Sequence, residues 1–233
     1  MLLTIIIPVF NEENTIEAIF RKILEQNYIE KQIIIVDDFS TDNTRQILKD
    51  KIFQSADKII YHNKNKGKGA AIKTAVNSIK GDVVIIQDAD LEYSPSDYKN
   101  LIKPIINKNF EVVYGSRVIN KKRYTSENFT SLSRIFFNHI LTILSNLLNN
   151  QKLTDAHTCY KVFSSEVFNK LNLEEDDFAF CPEVTTKLSR MKVKICEVEI
   201  SYNGRTHKEG KKIFFFDGLR ALHVLFKYRF RFR

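Results

Sequence analysis

The stretch that decides the fold is residues 81–92, Gly81-Asp-Val-Val-Ile-Ile-Gln-Asp-Ala-Asp-Leu-Glu92. Its four consecutive apolar residues, 83–86, predict a short buried strand. Asp88 and Asp90 follow the C-terminal end of this strand, which is where ligands bind in open α/β sheets. Side chains two positions apart on an extended segment point the same way. We therefore expect the two carboxylates to share one Mg²⁺ or Mn²⁺ ion and a diphosphate. A solvated acidic turn is the alternative for so short a motif.

Further strands and helices alternate on both sides of this stretch. Apolar, β-branched runs predict strands and amphipathic runs predict helices between them. The predicted strands are residues 3–10, 32–36, 58–62, 83–86 and 110–114, and the predicted helices start near residues 16, 44, 67 and 97. This alternation predicts an α/β fold with a mostly parallel central sheet and helices on both faces.

The second half of the chain has a different pattern. It predicts an apolar helix over 131–148, a polar turn from Asp155, a short strand, and helices over 165–171 and 183–191. An alternating strand over 193–202, a basic loop over 204–212 and an aromatic, basic helix from Phe214 follow. No repeat or linker divides the chain, so we expect one domain, residues 1–233. Its parts are a nucleotide-binding half (1–117), an acceptor-binding half (118–212) and a C-terminal helix (213–233).

Composition limits the functional classes. The net charge of +8 favours anionic partners such as nucleotide diphosphates or lipid headgroups. The cations are scattered without a recognised nucleic-acid motif, so no nucleic-acid partner is expected. Three cysteines without a C-x-x-C pattern predict packing residues in a reducing compartment. No apolar run reaches about 20 residues. We expect a cytoplasmic protein, peripheral at the cytoplasmic face of a membrane.

A loop rich in glycine and lysine precedes one of the predicted helices. Residues 63–71 read Asn-Lys-Asn-Lys-Gly-Lys-Gly-Ala-Ala. Glycine lets a phosphate approach the backbone, and a helix N-terminus attracts anions. The spacing is not that of a P-loop. The loop predicts contact with a nucleotide, and a flexible basic loop is the alternative.

Taken together, these segments resemble family 2 glycosyltransferases, and the second half resembles the dolichol-phosphate-mannose synthase branch. The resemblance covers nearly the whole chain. The segments that carry it are Pro8-Val-Phe-Asn-Glu-Glu, Val36-Asp-Asp-Phe-Ser-Thr-Asp42, the loop 63–71, Asp88-Ala-Asp90-Leu-Glu, Gly115-Ser-Arg117, Thr154-Asp155, Thr158-Cys-Tyr-Lys, Phe180 with Pro182-Glu183, Glu197-Val-Glu-Ile-Ser-Tyr, and Gly204-Arg205 with Glu209-Gly-Lys-Lys-Ile.

The resemblance implies a GT-A fold and an inverting, metal-dependent transfer of a hexose. The donor would be a nucleotide-diphosphate sugar of the GDP-mannose or UDP-glucose type, and the acceptor a polyprenyl (dolichyl or undecaprenyl) phosphate. Asp88 and Asp90 match the metal and diphosphate pair. The other positions that match donor-binding residues are Pro8, Asn11, Glu12, Asp38, Lys66, Gly67 and Ala89.

The resemblance also assigns cations to the two phosphate groups. Arg117 and Arg134 match arginines that hold the lipid phosphate. Arg205 and Lys211 match a late basic loop that closes over the diphosphate. Similar enzymes carry Gly-x-Ser-Lys there, whereas this chain has Gly210-Lys-Lys. Whether Lys211 or Lys212 reaches the phosphates stays open, and Arg134 could instead snorkel from an apolar helix.

The acceptor decides whether a base is needed. A polyprenyl phosphate is already anionic and needs only positioning by arginine. A saccharide hydroxyl would need a carboxylate base, with Asp155 the first candidate and Glu183 the second. Each carboxylate could instead serve a turn or a helix start. A catalytically silent sugar-nucleotide-binding subunit is a further alternative. The C-terminal helix could contact lipid, a membrane partner subunit or only the core.

Overall fold

The computed structural model describes residues 1–120, 132–205 and 215–231. Within these ranges seven strands form a single sheet. They are β1 Leu2–Val9, β2 Glu30–Asp37, β3 Lys58–Tyr61, β4 Val83–Ile86, β5 Val112–Ser116, β6 Lys161–Ser164 and β7 Ile195–Glu199. Their order across the sheet is β3-β2-β1-β4-β6-β5-β7.

Helices connect these strands. The α-helices of the described residues are α1 Ile16–Leu24, α2 Thr44–Ile47, α3 Lys68–Val76, α4 Tyr98–Ile106, α5 Leu132–Asn149, α6 Ser165–Lys170, α7 Phe180–Arg190 and α8 Phe215–Phe230. A π-helical stretch, Leu48–Ile52, continues α2, and a 3₁₀ turn, Pro95–Asp97, leads into α4.

The sheet is parallel except at one strand, which confirms the predicted α/β fold. β6 pairs antiparallel with both β4 and β5, and the other pairings are parallel. β6 and β7 come from the second half of the chain. The two halves therefore share one sheet, and β6 lies between two strands of the first half.

The core lies on both faces of the sheet. In β1, Ile5 and Ile7 pack in one cluster with α1 and α4, whereas Ile6 packs in the other cluster with α3 and α7. All three side chains are fully buried. Burying an isoleucine contributes about 1.5–3 kcal/mol. A continuous apolar run is therefore what a central parallel strand with two covered faces requires.

Two of the element boundaries that differ from the sequence prediction lie close to the predicted site residues. β7 ends at Glu199 rather than at Tyr202, which makes only an isolated antiparallel bridge to Tyr93. The alternating pattern continues because Ile200 is buried against the core without joining the ladder. α7 begins at Phe180, so Pro182 and Glu183 both lie in its first turn.

The tip of β4 is held by a buried hydrogen-bond network centred on Gln87. Its Oε1 accepts from the hydroxyls of Tyr98 at 2.7 Å and Tyr160 at 2.5 Å. Its Nε2 donates to the carbonyl oxygen of Asp88 at 2.9 Å. All three side chains are fully buried. Gln87 therefore fixes the backbone at the point where the chain leaves the sheet.

Replacing Gln87 with leucine should destabilise the protein, because it leaves the Tyr98 and Tyr160 hydroxyls buried without their acceptor. Each unsatisfied group costs about 1–3 kcal/mol. Urea denaturation should show this loss in the free energy of unfolding. The matched change at the exposed Gln54 should alter it by less than about 0.5 kcal/mol. Equal effects of the two variants would contradict the network's role.

Candidate active site

The chain leaves the extended conformation directly after β4. Ala89 and Asp90 lie in a turn, and Leu91 has a positive φ of 62°. The expectation that Asp88 and Asp90 occupy alternate positions of an extended segment is therefore wrong. Ala89, matched to a position at the ribose, is buried in the core.

Asp88 is paired with a lysine from the first turn of α3. The ammonium of Lys68 donates to its Oδ1, and both side chains are largely buried. Burial alone would lower the pKa of Lys68, but the Asp88 carboxylate outweighs it and raises the pKa above its ordinary value. Lys68 therefore stays charged at the tip of β4. The sequence had singled out Lys66, which is exposed.

Asp90 belongs to a second charged group, centred on Arg205. The Arg205 Nη2 lies 2.8 Å from Oε2 of Glu12 and 3.5 Å from Oδ2 of Asp90. The Arg205 backbone N–H donates to Oε1 of Glu92 at 2.8 Å, and the Tyr202 hydroxyl donates to its Oε2. Two carboxylates thus lie at the guanidinium, and a third, that of Glu92, binds the backbone N–H of the same residue. The structure brings Arg205, Glu12 and Asp90 together and adds Glu92, the last residue of the Asp88-Ala-Asp90-Leu-Glu segment, to which the sequence analysis gave no role.

The donor groups fit a hard divalent cation. No three or more histidine, cysteine or acidic side chains in the described part of the chain could hold a metal ion by themselves. Mg²⁺, however, is commonly bound by one or two carboxylates together with water and substrate phosphates. Asp88 and Asp90 offer such oxygens.

Asp38 holds the glycine and lysine loop in place. Its Oδ1 accepts from the Lys66 N–H at 2.8 Å and its Oδ2 from the Gly67 N–H at 2.7 Å. Nδ1 of His62 lies 2.7 Å from the same carboxylate. Asp38 is buried, so its oxygens are directed to the protein's own backbone.

The end of β1 is joined to the loop after β2. Asn11 has a positive φ of 50°; its N–H donates to Ser40 Oγ at 2.9 Å, and its Oδ1 accepts from the Thr41 N–H at 2.8 Å. Pro8 is the last residue but one of β1 and lies opposite Val36 of β2. The predicted donor-binding residues Asn11, Glu12 and Asp38 thus lie along the carboxyl ends of neighbouring parallel strands, where ligands bind in such sheets.

The two glycines of the loop are required by packing against another segment. Gly67 has φ of 98°, and a Cβ there would lie 2.5 Å from the carbonyl oxygen of Asp176. A Cβ on Gly69 would lie 2.3 Å from the carbonyl oxygen of Glu175. The sequence interpretation assigned these glycines to phosphate approach. The structure places the backbone of residues 175 and 176 against both of them.

Arg117 and Asp155 form a buried ion pair. Nε and Nη2 of Arg117 donate to the two oxygens of Asp155 at 2.6 and 2.8 Å, and the Arg117 N–H donates at 3.2 Å. Oε1 of Glu197 accepts from the Asp155 N–H at 2.9 Å and fixes this turn. The guanidinium carbon of Arg117 lies 5.2 Å from the ring centre of Tyr202.

This pair changes how Asp155 acts as an acid or base. Burial would raise the pKa of Asp155, but the charge and hydrogen bonds of Arg117 outweigh it and hold the pKa below its ordinary value. The carboxylate is thus ionised, with both oxygens engaged. Glu183, the second candidate base, is fully buried in α7. It accepts from the N–H groups of Glu174 and Glu175 at 2.6 and 2.9 Å.

Three predicted site residues cannot be placed. Lys211 and Lys212 lie outside the described residues, as does the side chain of Arg134, whose backbone belongs to the first turn of α5. The cysteines are free. Sγ of Cys181 donates to the carbonyl oxygen of Thr158 at 3.9 Å.

Solved structures with the same architecture define the class of protein. Glucosyl-3-phosphoglycerate synthase from Mycobacterium tuberculosis, solved with Mn²⁺, UDP and phosphoglyceric acid, superposes with a TM-score of 0.73 at 16% identity. The match covers 98% of this chain and 78% of that one. A structure of the same enzyme with Mg²⁺ and UDP gives a TM-score of 0.71. The fold is thus the GT-A fold of nucleotide-sugar transferases, as expected.

Sequence comparison then gives the family. The model of glycosyl transferase family 2 matches residues 4–171. The UDP-N-acetylglucosamine–dolichyl-phosphate N-acetylglucosaminyltransferase of Methanococcus voltae is 31% identical over 85% of this chain and 84% of its own length. The undecaprenyl-phosphate 4-deoxy-4-formamido-L-arabinose transferase of Aeromonas hydrophila is 25% identical, over 90% of this chain and 62% of its own length. The chain belongs to glycosyl transferase family 2 and is a glycosyltransferase of its polyprenyl-phosphate branch.

The turn that carries Asp155 also carries a titratable histidine. Nε2 of His157 is buried and has no hydrogen-bond partner among the described residues. Burial, together with the positive charge of Lys161, lowers the pKa of His157 to about 4 from 6.5. Between these two pH values the unfolded chain binds a proton that the folded chain does not. The contribution of neutral His157 to the free energy of unfolding is therefore complete above pH 6.5, and it is lost as the pH falls towards 4.

We expect the wild-type protein to lose stability as the pH falls from 6.5 to 4, and His157→Gln to lose less over this window. Urea denaturation at steps of pH measures the slope, independently of any offset from the substitution itself. His223→Gln, which removes an exposed histidine of α8, should keep the wild-type slope. Parallel curves for wild type and His157→Gln would refute the assignment.

Proposed function

We propose that this enzyme transfers a hexose from a nucleotide-diphosphate sugar to a polyprenyl phosphate, with inversion and with Mg²⁺ or Mn²⁺ bound by Asp88 and Asp90. The observation that carries this proposal is the pair of aspartates at the tip of β4, each beside one cation, Lys68 or Arg205. Relatives named for dolichyl and undecaprenyl phosphate support the acceptor class.

The departing nucleotide diphosphate carries negative charge that must be stabilised as the glycosidic bond breaks. The metal ion, when bound, supplies Lewis-acid stabilisation of this charge. Arg205 lies beside Asp90, so its guanidinium is placed to bind the oxygens of the departing diphosphate. Lys68 holds the Asp88 carboxylate in position. We retain Lys211 and Lys212 as further phosphate ligands on the basis of the family resemblance.

The other donor contacts follow from the ends of the strands. We propose that Asn11, Glu12 and Asp38 border the nucleoside, with Pro8 and Ala89 shaping the floor behind them. The N–H groups of Lys66 and Gly67 are already bound by Asp38. This loop therefore approaches the nucleotide as a preorganised turn, which lowers the entropic cost of binding.

The acceptor assignment rests on Arg117 and Asp155. Because both oxygens of Asp155 are bound by Arg117, this carboxylate is poorly placed to remove a proton from a saccharide hydroxyl. A phosphate acceptor needs no such base. Nη1 is the guanidinium nitrogen of Arg117 that the bidentate contact does not use, and we assign it to the acceptor phosphate together with Arg134.

Activity assays test this function directly. Purified protein is incubated with Mn²⁺, a short polyprenyl phosphate and, separately, UDP-N-acetylglucosamine, UDP-glucose and GDP-mannose. We expect a glycolipid from at least one donor. Asp90→Asn should lower its rate by about 10²–10³-fold, the usual cost of removing a group that stabilises developing charge.

Asp50→Asn, a matched change at an exposed carboxylate, should keep the wild-type rate. Transfer to saccharide hydroxyls without transfer to lipid phosphate would overturn the acceptor assignment. Donor binding without any turnover would instead indicate a silent binding subunit.

We further propose that the protein works at the cytoplasmic face of a membrane, attached through α5. No helix among the described residues is long and apolar enough to cross a bilayer. Phe136, Ile140, Ile143 and Leu147 lie at helical spacing on one face of α5 and are exposed, Leu147 to 77%. α8 packs against α5 and exposes further apolar side chains, among them Phe226 and Phe230.

The buried face of α5 carries polar side chains beside the apolar Ile135 and Leu141. Thr142, Ser145 and Asn149 are at most 3% exposed, and Asn149 Nδ2 donates to Oγ1 of Thr186 in α7 at 3.2 Å. A helix with apolar residues outside and polar residues inside is suited to an apolar medium on its outer side. The headgroup region of a bilayer, where the acceptor lipid resides, provides that medium.

Vesicle cosedimentation tests the attachment. The triple variant Phe136→Ser, Ile143→Ser, Leu147→Ser should bind phosphatidylglycerol-containing vesicles at least tenfold more weakly than wild type, because each inserted side chain contributes about 1.5–3 kcal/mol. Phe53→Ser, at another exposed aromatic position, should bind like wild type. A wild-type dimer that the triple variant dissociates, without vesicle binding, would show instead that a second copy covers this face.

A further inference from the structure

Four acidic residues, Glu-Glu-Asp-Asp at 174–177, form a segment that contacts the donor-site loop. The Ala70 N–H donates to the Asp176 carbonyl oxygen at 2.9 Å. Nζ of Lys73 lies 2.5 Å from Oδ1 of Asp176 and 2.6 Å from the Glu174 carbonyl oxygen. With the close packing on Gly67 and Gly69, these bonds fix the first turns of α3 against this acidic segment.

The opposite side of the acidic segment is bound by α8. Glu175 is 3% exposed, and its carboxylate accepts from Arg220 Nη2 at 2.5 Å, Lys227 Nζ at 2.6 Å and the Tyr228 hydroxyl at 3.0 Å. Nε of Arg220 lies 3.2 Å from Oδ2 of Asp177. Arg220 and Lys227 of α8 thus bind the protein's own acidic segment, whereas the sequence left lipid, a partner subunit and the core as alternatives for this helix.

The segment is also fixed from α7, which limits how it can move. Glu183 accepts from two of its backbone N–H groups, and Lys187 lies 2.7 Å from Oε1 of Glu183. The backbone at 174–175 is therefore anchored, whereas the Glu175 side chain depends on α8. A buried carboxylate that loses its cations is driven towards solvent. The residues next to it, 176 and 177, contact α3 and α8 respectively.

We propose that α8 positions the donor-binding turn, residues 66–70, through the acidic segment. Glu175, Arg220 and Lys227 are positioning residues: they do not touch the donor, but they hold the segment on which Gly67, Gly69 and Ala70 pack. This proposal rests on the proposed function, because it assumes that the donor nucleotide binds beside this turn. Loss of the contacts from α8 to Glu175 should therefore loosen the turn 66–70, which leads into α3.

Hydrogen exchange provides a readout at α3 for a change made in α8. Lys227→Met removes one cation from Glu175 and keeps the aliphatic stem, and Glu175→Gln removes the charge of the carboxylate. We expect faster amide exchange in peptides covering residues 66–76 for both variants, with unchanged exchange in β1 and β4. Arg229→Ala, on the exposed side of the same helix, is the control and should exchange like wild type.

Calorimetric titration with UDP and Mn²⁺ links this loosening to the donor. We expect UDP to bind the two variants roughly 5- to 20-fold more weakly, within the range of couplings between distant sites. In turnover assays the KM for the donor should rise while kcat changes less than twofold.

The possible outcomes distinguish the assignment of the donor site from the coupling between α8 and the turn 66–70. If wild-type protein binds no nucleotide but the variants still show faster exchange at 66–76, the donor-site assignment fails and the mechanical coupling stands. If wild-type protein binds UDP and Lys227→Met binds it equally, with unchanged exchange at 66–76, the coupling is refuted. Should Glu175→Gln fail to fold, Lys227→Met alone decides the question.

Discussion

Charge balance at the exit of β4 is the constraint on which the rest of the site depends. Two carboxylates stand within three residues, and an unpaired buried charge costs several kcal/mol. The chain compensates with Lys68, from the first turn of α3, and with Arg205, more than a hundred residues later. The site therefore exists only when β7 has added to the sheet and delivered the segment after it. A divalent cation and a diphosphate would enter an environment whose charges are already arranged, so little reorganisation is needed when the leaving group departs.

The sequence predicted the parts of this protein that are set by local pattern. The buried run at 83–86 is the strand β4 with the same bounds, and the isoleucines of β1 lie in the core on both faces. Buried strands of this kind can be predicted from the local hydrophobic pattern, without knowing which strands lie next to them in the sheet. The antiparallel direction of β6 could not be predicted, because the sequence of a four-residue strand does not show which strands it pairs with or in which direction.

The sequence predicted which residues belong to the candidate site better than it predicted how they are arranged. Asp90, Glu12 and Arg205 do meet. The sequence could not show that Asp155 would bind Arg117, because their pairing depends on Glu197 and β7 placing the turn beside β5. It also could not show that Gly67 and Gly69 pack on residues 175 and 176. Glycine permits both phosphate approach and close backbone packing, and only the tertiary neighbour distinguishes them.

The orientation of α5 is the clearest case in which the hydrophobic pattern points away from the observed packing. Turning the helix so that Phe136, Ile143 and Leu147 faced α7 would bury three side chains that are now 52–77% exposed. That orientation would expose the Thr142, Ser145 and Asn149 side chains and take from Thr186 its partner, Asn149. Hydrogen-bonded polar groups are tolerated in a protein interior, so the observed orientation is allowed. It nevertheless leaves Phe136, Ile143 and Leu147 largely exposed. An apolar environment outside the protein removes this conflict, because the outer face is then buried as well. The surface of α5 and the acceptor assignment therefore support each other, since an enzyme that modifies a lipid phosphate must reach the boundary of the bilayer.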